Sequence, residues 1–187
     1  MFPIRWFAGP LPQQPPAEDR IWRVLSQEEA EAWVRQQTSR ATGREKYRVA
    51  LENRHGFLVA EIDGQVVARR WVGTGWVYIG DPVWSLVRFP PGMGYFYGLY
   101  VDPAYRRRGI SKGGVAAGLA YARAEGLTSC AVWMHRSNNP SLHNWSDLGV
   151  PCFDTTRIVV SHRGVWFPRS PWPRLGVTQV RWHLPPD

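Results

Sequence analysis

The chain has 187 residues, of which 44% are hydrophobic and 20% charged, so it is long and apolar enough for one folded domain and unlike a disordered polymer. Its net charge is +8, and Lys46 and Lys112 are its only lysines. Clustered arginines favour phosphate or carboxylate ligands, although a coding bias towards arginine would give the same charge. Because no apolar run reaches the length of a membrane span, and Cys130 and Cys152 show neither metal nor disulfide spacing, we expect a cytoplasmic protein without a membrane segment or a metal.

The N-terminal region, residues 1–17, is rich in proline. Five prolines in its first sixteen residues interrupt both a helix and the apolar core of a signal peptide. We therefore predict an irregular arm that packs on the protein through Phe2, Trp6 and Phe7, followed by a single domain over residues 18–187.

The next part of the sequence predicts one or more helices and then a β-hairpin. A short strand leads into Ser26, a candidate N-cap that is followed by acidic residues in the first helical turn. Residues 55–73 form two apolar runs joined by Asp63 and Gly64, a pair suited to a tight type I′ turn. The aromatic and irregular stretch 71–91 receives no assignment.

The rest of the sequence alternates between strand and helix patterns. Residues 94–102 predict a strand with four side chains on one face: Tyr95, Tyr97, Leu99 and Val101. The later segments predict a helix over 111–126, a strand over 129–135, a short helix within 138–149, and strands over 152–160 and 176–184. This order of elements predicts an α/β or α+β fold, with one mixed sheet and helices on its faces.

Two interpretations compete for the segment VDPAYRRRGISKGG, residues 101–114. In the first, Gly109 to Gly113 is the G-x-S-x-G pattern of a serine hydrolase and Ser111 is the nucleophile. The other triad members would be Asp147 or Asp154 and His162 or His183. That pattern needs the serine at a sharp turn directly after a strand, whereas nine residues separate Ser111 from the predicted strand end at Val101. The hydrolase is therefore the weaker interpretation.

The second interpretation is a phosphate cradle at the start of the following helix. Gly109 lets the backbone approach a ligand closely, and the unpaired amides of a first helical turn carry partial positive charge. Four basic side chains converge on the same turn: Arg106, Arg107, Arg108 and Lys112. Together these groups favour a pyrophosphate. Small residues at positions 113, 114 and 118 permit either this close approach or tight packing of the helix on a sheet.

The residues that support the cradle also carry a family resemblance. The stretch YGLYVDPAYRRRGISKGGVAAGLAYARAEG, residues 97–126, resembles the acetyl-CoA-binding motif of the GCN5-related N-acetyltransferase (GNAT) family, in which a strand, V-x-P-x-[YF]-[RQ]-x-x-G-x-[GA] and a helix follow one another. Arg106, Gly109 and Ser111 lie at the cradle positions. Downstream the family shows an asparagine and then Leu-Tyr-x-x-x-Gly-Phe, and the matching residues are Asn138, Trp145, Gly149 and Val150.

The resemblance implies a single GNAT-like domain in which two central parallel strands splay apart and hold CoA in the gap. The implied cofactor contacts are Leu99, Tyr100, Val101, Arg106, Arg107, Arg108, Gly109, Ile110, Ser111, Lys112, Gly113, Asn138 and Trp145. The first three would pair with pantetheine through their main chain, and the residues from 107 to 113 would hold the pyrophosphate. The implied reaction is direct attack of a neutral amine on the thioester, which needs a base for the ammonium and an acid for the thiolate.

Both catalytic positions depart from the family's pattern. Trp145 replaces the tyrosine that protonates the thiolate, and an indole N–H donates a hydrogen bond without giving up its proton. No carboxylate occurs in residues 95–100, a familiar place for the base. The candidate catalytic set is therefore Tyr100, Trp145 and His135, since histidine exchanges protons near neutral pH. Tyr97 and Asp102 are weaker candidates.

Aromatic residues are concentrated where the family builds its acceptor pocket. They are Trp71, Trp76, Tyr78, Trp84, Phe89, Tyr95, Phe96 and Tyr97. They favour a large or apolar acceptor or an acyl group longer than acetyl, unless they form ordinary core. The expected function is an N-acyltransferase, most simply an N-acetyltransferase, that binds acyl-CoA and an amine, with a homodimer left open. The alternatives are an acyl-CoA-binding relative with little catalysis and, less favoured, a nucleic-acid-binding module.

Overall fold

The computed structural model describes residues 2–12, 21–37, 41–80, 85–161, 164–166, 175–177 and 179–182. Its strands are β1 (Phe2–Pro10), β2 (Trp22–Val24), β3 (Gly56–Ile62), β4 (Gln65–Gly73), β5 (Trp76–Ile79), β6 (Ser85–Arg88), β7 (Met93–Val101), β8 (Ser129–His135), β9 (Cys152–Ser161), β10 (Gly164–Trp166) and β11 (Gln179–Trp182). Its helices are α1 (Gln27–Gln37), α2 (Ala41–Glu52), α3 (Ile110–Ala124) and α4 (Asn139–Ser146), with a 3-10 turn at Pro103–Tyr105. The predicted hairpin is β3–β4, and β5 and β6 lie in the stretch that received no assignment.

Two sheets organise the described strands. The larger has the order β10-β9-β1-β8-β7-β4-β3-β2, and the smaller has the order β11-β6-β5. Among the strand pairs described, only β7 and β8 run parallel; the other pairs are antiparallel. The predicted mixed sheet with a central parallel pair is therefore confirmed.

The N-terminal segment is part of the large sheet. Strand β1 pairs with β8 on one side and with β9 on the other, so the prediction of an irregular arm is wrong for residues 2–10. The physical reason is the position of its prolines: Pro3 and Pro10 stand at the two ends, and the six residues between them keep their amides for the ladder. Trp6 and Phe7 are buried, as expected. The domain boundary at residue 17 lies outside the described residues and stays a prediction.

Helices cover both faces of the large sheet, as predicted. Helices α3 and α4 pack on one face in a cluster that includes Phe96, Leu119 and Val132. Helices α1 and α2 pack on the opposite face around Phe57 and Trp71. Because side chains alternate along a strand, neighbouring residues of β3 and β4 belong to these two different clusters. None of the described helices is both long and apolar enough to cross a lipid bilayer.

Candidate active site

A notch opens between the two central strands. Parallel pairing of β7 with β8 covers only Met93–Tyr95 against Ser129–Ala131. On its other side β7 stays paired with β4 as far as Val101. The second half of β7 therefore presents an edge to the gap, which is the splayed arrangement that the resemblance implied.

A bulge in β7 sits at the mouth of this notch. The register with β4 shifts between Arg69 and Trp71, and Gly98 has a φ of +65°, a conformation that favours glycine. Beyond the bulge, Leu99 and Val101 pack against the α3 cluster. Tyr95 and Tyr97 pack on the other face. The prediction that these four side chains share one face is therefore wrong, because the bulge reverses the alternation.

A cavity of about 740 Å³ lies at the notch, and its lining residues come from both faces of the sheet. We call its two halves the α3 side and the α2 side. The α3 side is lined by Arg70, Phe96, Leu99, Met134, Asn138 and Trp145. The α2 side is lined by Lys46, Tyr47, Tyr78, Tyr97, Trp133 and His135.

The start of α3 has the features of an anion cradle. Gly109 is its N-cap, with a φ of +79° and open space where a Cβ would lie. The Gly109 carbonyl accepts hydrogen bonds from the amides of Lys112 and Gly113. The preceding amides, those of Ile110 and Ser111, come before these first helical bonds and are placed to bind a ligand.

The loop before the cradle is held by two of the predicted site residues. Arg106 Nε donates a 3.1 Å hydrogen bond to the carbonyl of Val101. Asp102 Oδ1 accepts a 2.9 Å hydrogen bond from the amide of Ala104. This carboxylate therefore caps the 3-10 turn, and the contact does not support a role as the catalytic base. The guanidinium of Arg108 lies over the ring of Tyr105. These contacts fix the loop, and residues 106–109 stay exposed.

Ser111 has the surroundings of a structural residue. Its Oγ accepts a 3.1 Å hydrogen bond from Asn144 Nδ2, which ties α3 to α4. An amide donor cannot remove a proton from a serine, so this contact gives no support to the hydrolase interpretation. His162 and His183, the proposed triad bases, lie outside the described residues.

Two of the helix glycines serve packing. A Cβ on Gly114 would lie 2.6 Å from the Trp22 ring, and a Cβ on Gly118 would lie 3.0 Å from the Phe96 ring. Tight packing of α3 on the sheet thus explains these two glycines. This is one of the two explanations that the sequence allowed, the other being close approach to a ligand.

The α3 side contains a buried cation. Arg70 is 1% exposed, and its Nε and Nη1 have no hydrogen-bond partner among the described residues. Its guanidinium lies 5.2 Å from the ring centre of Phe96 and 5.5 Å from that of Trp145. Burial lowers the pKa of Arg70 to about 9, so the group still carries its charge at neutral pH. The sequence analysis did not identify this residue. Its place between Ala68 and Val72 on an apolar strand face does indicate a buried charge.

The α2 side contains a second cation and a buried tyrosine–histidine pair. The Lys46 ammonium lies 5.1 Å from the ring centre of Tyr97, and burial, together with the charge of Arg69, lowers the pKa of Lys46 to about 8. His55 Nε2 lies 3.0 Å from the Trp76 carbonyl, so it donates there, and Nδ1 accepts from the Tyr97 hydroxyl at 2.7 Å. Burial raises the pKa of Tyr97 well above its usual value, which makes this hydroxyl a poor proton donor for catalysis.

The three predicted catalytic residues have different surroundings. Trp145 is buried and lines the cavity with its ring edge against Phe96. His135 lines the cavity from the end of β8, and its Nδ1 lies 2.6 Å from Ser137 Oγ. Tyr100 is 40% exposed and stacks on Arg69, away from the cavity lining. The geometry thus groups Trp145 and His135 but not Tyr100.

The aromatic stretch divides between cavity and core. Four of its members line the cavity: Tyr78, Tyr95, Phe96 and Tyr97. Trp71 stacks on Phe57 at 4.1 Å between ring centres, and Phe89 stacks on Tyr95 at 4.8 Å, so both belong to the core. Trp84 lies outside the described residues.

Comparison with known proteins agrees with this geometry. The sequence matches the family described as Acetyltransferase (GNAT) family over residues 19–150. No curated protein matches it.

Several solved structures share the fold. A GNAT-family protein from Novosphingobium aromaticivorans has a TM-score of 0.55 and 17% identity, over 82% of this chain and 61% of its own, so the present chain spans less than two thirds of that relative. AAC(6′)-Iy, in complex with the bisubstrate analogue CoA-S-monomethyl-acetylneamine, has a TM-score of 0.52 and 19% identity, over 75% of this chain and 95% of its own. An acetyltransferase from Clostridium acetobutylicum with acetyl-CoA has a TM-score of 0.50 and 16% identity, over 71% and 90%.

Proposed function

Because the chain belongs to the acetyltransferase (GNAT) family, we propose that it is an acyl-CoA-dependent N-acyltransferase whose donor is acetyl-CoA or another acyl-CoA. The notch carries this proposal: β7 and β8 pair over three residues and then part beside the N-terminus of α3. An extended chain fits between the parted strands, and a pyrophosphate fits the first turn of the helix. The CoA-bound relatives support the same donor.

The described residues fit CoA at both places. The main chain of Leu99, Tyr100 and Val101 would hold the pantetheine, because this part of β7 is not paired with β8. The amides of Ile110 and Ser111 and the basic side chains from Arg107 to Lys112 would hold the pyrophosphate, since Gly109 leaves open space there. Arg106 would act by holding the loop in place, and Asn138 lines the cavity at the N-cap of α4.

Acyl-CoA, when bound, supplies a thioester whose C–S bond breaks as the amine attacks. On the α3 side, Arg70 and the indole N–H of Trp145 would stabilise the negative charge left on sulfur. This arrangement replaces proton donation by electrostatic stabilisation, which is effective in a site that excludes water. It accounts for a tryptophan at the position where the family usually has a tyrosine.

On the α2 side, His135 would accept the proton of the incoming ammonium. The Ser137 amide donates a hydrogen bond to Nδ1, so the neutral ring carries its hydrogen on Nε2 and the lone pair that accepts the proton is on Nδ1, beside Ser137 Oγ. A neutral imidazole ring suits this task because its nitrogen without hydrogen can accept a proton. Tyr100 is left out of the mechanism because of its exposed position against Arg69.

The test combines CoA binding with turnover. We expect CoA to bind in a calorimetric titration, and acetyl-CoA with a panel of primary amines to release CoA thiol. Arg108→Ala should weaken CoA binding about tenfold because a phosphate contact is lost. Arg35→Ala, which removes an equal charge from the exposed face of α1, is the matched control. Absence of CoA binding would overturn the proposal.

The residue at position 145 also motivates the alternative, an acyl-CoA-binding protein with little catalysis. CoA binding without thiol release across the whole amine panel would favour that alternative over the transferase.

A further inference from the structure

The α2 side of the cavity has a charge pattern that selects among amines. Its walls are aromatic, formed by Tyr47, Tyr78, Tyr97 and Trp133, and its cation is Lys46. No acidic residue occurs among the described residues that line the cavity. A pocket for a polyamine would need carboxylates to bind the additional ammonium groups, because burying unpaired positive charge beside Lys46 is costly.

Lys46 itself has no acidic partner among the described residues. The two acids on its own helix, Glu45 and Glu52, bind Arg48 at 2.6 and 2.7 Å. Within the described ranges, the groups that act on the Lys46 ammonium are the Tyr97 ring and the charge of Arg69. A ring face is a weak partner for a half-buried cation that has lost part of its water, and Arg69 adds repulsion. A bound anion would therefore meet an unsatisfied charge.

Lys46 lies at the point where the notch opens. A Cβ on Gly98 would be 3.2 Å from Lys46 Nζ, and Gly98 forms the bulge within the part of β7 that is not paired with β8. An anion bound to Lys46 is therefore close to the place where the amine must attack. The anionic group and the reacting nitrogen must then be only a few bonds apart in one small molecule.

We propose that the acceptor is an α-amino carboxylate with an aromatic or large apolar side chain, and that Lys46 binds its carboxylate. The aromatic walls would contact the side chain. This inference rests on the proposed acyltransferase function. The amine nitrogen forms a C–N bond with the acyl carbon while the C–S bond breaks and its electron pair stays on sulfur. The ammonium loses two protons: the thiolate takes up one and the other is released, so the products are an N-acyl amino acid, CoA thiol and one proton.

Matched pairs of acceptors test the carboxylate. We would compare L-phenylalanine with phenethylamine and L-tryptophan with tryptamine, since each pair differs only in the carboxylate. With acetyl-CoA as donor, we expect kcat/KM to be about tenfold to a hundredfold higher for the amino acid, the range of one charge-assisted hydrogen bond. Calorimetric titration of each ligand into the CoA-saturated protein gives a second readout that does not depend on turnover.

Variants of α2 test the assignment to Lys46. Lys46→Met should remove the preference, mainly by raising KM and Kd for the amino acids, while the decarboxylated amines should bind and react as well as before or better, because a repelling charge is removed. Lys46→Arg should restore part of the preference because it keeps the charge. Arg48→Met is the matched control, because it removes an equal charge from the neighbouring, solvent-facing turn, and it should change neither ligand class.

The outcomes separate the two proposals. If CoA does not bind, the acyltransferase function fails and this inference fails with it. If CoA binds but the decarboxylated amines bind or react better than the amino acids, or if none of the four ligands binds, this inference fails while the proposed binding of acyl-CoA stands. An equal effect of Lys46→Met on both ligand classes would also overturn it.

Discussion

The cradle at the start of α3 and the α2 side of the cavity are built in different ways. The groups that a ligand meets at the cradle come from one continuous segment, residues 101–114, and many of them are main-chain amides. The α2 side is assembled from side chains of α2, β5, β7 and β8, elements that are far apart in the sequence. A site that binds its ligand through main-chain amides tolerates side-chain substitution, whereas a site that binds through side chains changes with each substitution. We therefore expect binding of the acyl donor to be the more constant property and selection of the acceptor the more variable one.

The α3 side and the α2 side of the cavity share one feature, a cation without an acidic partner in the part of the chain that the structure describes. Arg70 on the α3 side is buried against Phe96 and Trp145, and the half-buried Lys46 on the α2 side lies over the ring of Tyr97. A buried charge without a partner destabilises the fold. Its presence on each side is explained if each meets an anion during the reaction: the leaving sulfur at Arg70 and the acceptor's carboxylate at Lys46.

The largest effect is expected at Arg70. Arg70→Met fills a similar volume without the charge, so we expect kcat to fall about 100-fold, the scale of a lost electrostatic contact in a transition state. We expect the free energy of unfolding to stay constant or to rise by about 1 kcal/mol, because an unpaired buried charge is removed. Thiol release and urea unfolding measure the two quantities. A large loss of stability with kcat unchanged would mean that Arg70 serves packing and that the two cations are not comparable.

The second effect is a pH dependence of stability that belongs to the α2 side. Burial lowers the pKa of His55 to about 4 from an ordinary value of 6.5. Because the unfolded chain binds the proton more readily, the stability from neutral His55 is present above pH 6.5 and is lost as the pH falls towards 4. Between about pH 7 and pH 5 we expect the free energy of unfolding to decrease by about 2 kcal/mol. Urea unfolding at several pH values checks this.

His55→Gln is the comparison for that experiment. It should show a clearly smaller loss over the same pH range, since the group that takes up the proton is gone. If the free energy of unfolding of this variant depended on pH as that of the unsubstituted protein does, the acid sensitivity would belong to other groups. His55 would then not be the residue that couples protonation to the α2 side.

The third effect tests the main-chain character of the cradle. Gly109→Val forces a β-branched residue to a φ of +79°, at a cost of about 1–2 kcal/mol if the conformation is kept. We expect the affinity for CoA to fall about tenfold because the amides of the first turn move. Gly64→Val is the matched control: its φ is +75°, nothing lies within 4 Å of its Cβ position, and its turn joins β3 to β4. It should lose similar stability without loss of CoA affinity in calorimetric titration.

The same contrast explains how much could be predicted from the sequence. Gly109 and its basic neighbours lie in one short segment, so their proximity is encoded locally, and the fold class followed from the order of strand and helix patterns. Lys46 and His55 carry no local signal, since only the tertiary packing of α2 and of the loop before β3 near β7 brings them to Tyr97. The bulge at Gly98 and the entry of β1 into the sheet likewise depend on partner strands, which no pattern within a strand reveals.

The smallest effect is expected at Ser111, where the first ambiguity of the sequence arose. Its hydroxyl accepts one hydrogen bond from Asn144, and loss of such a bond destabilises by about 1 kcal/mol. Ser111→Ala should therefore change kcat with acetyl-CoA by less than about twofold and change the affinity for CoA little, because a ligand would be held there by amides. Asn144→Ala should behave in the same way, since it removes the other partner of that bond. A loss of kcat of more than about 1000-fold in Ser111→Ala, but not in Asn144→Ala, is the result expected if Ser111 were a nucleophile. That result would favour the hydrolase interpretation and would contradict a cradle that acts through main-chain amides.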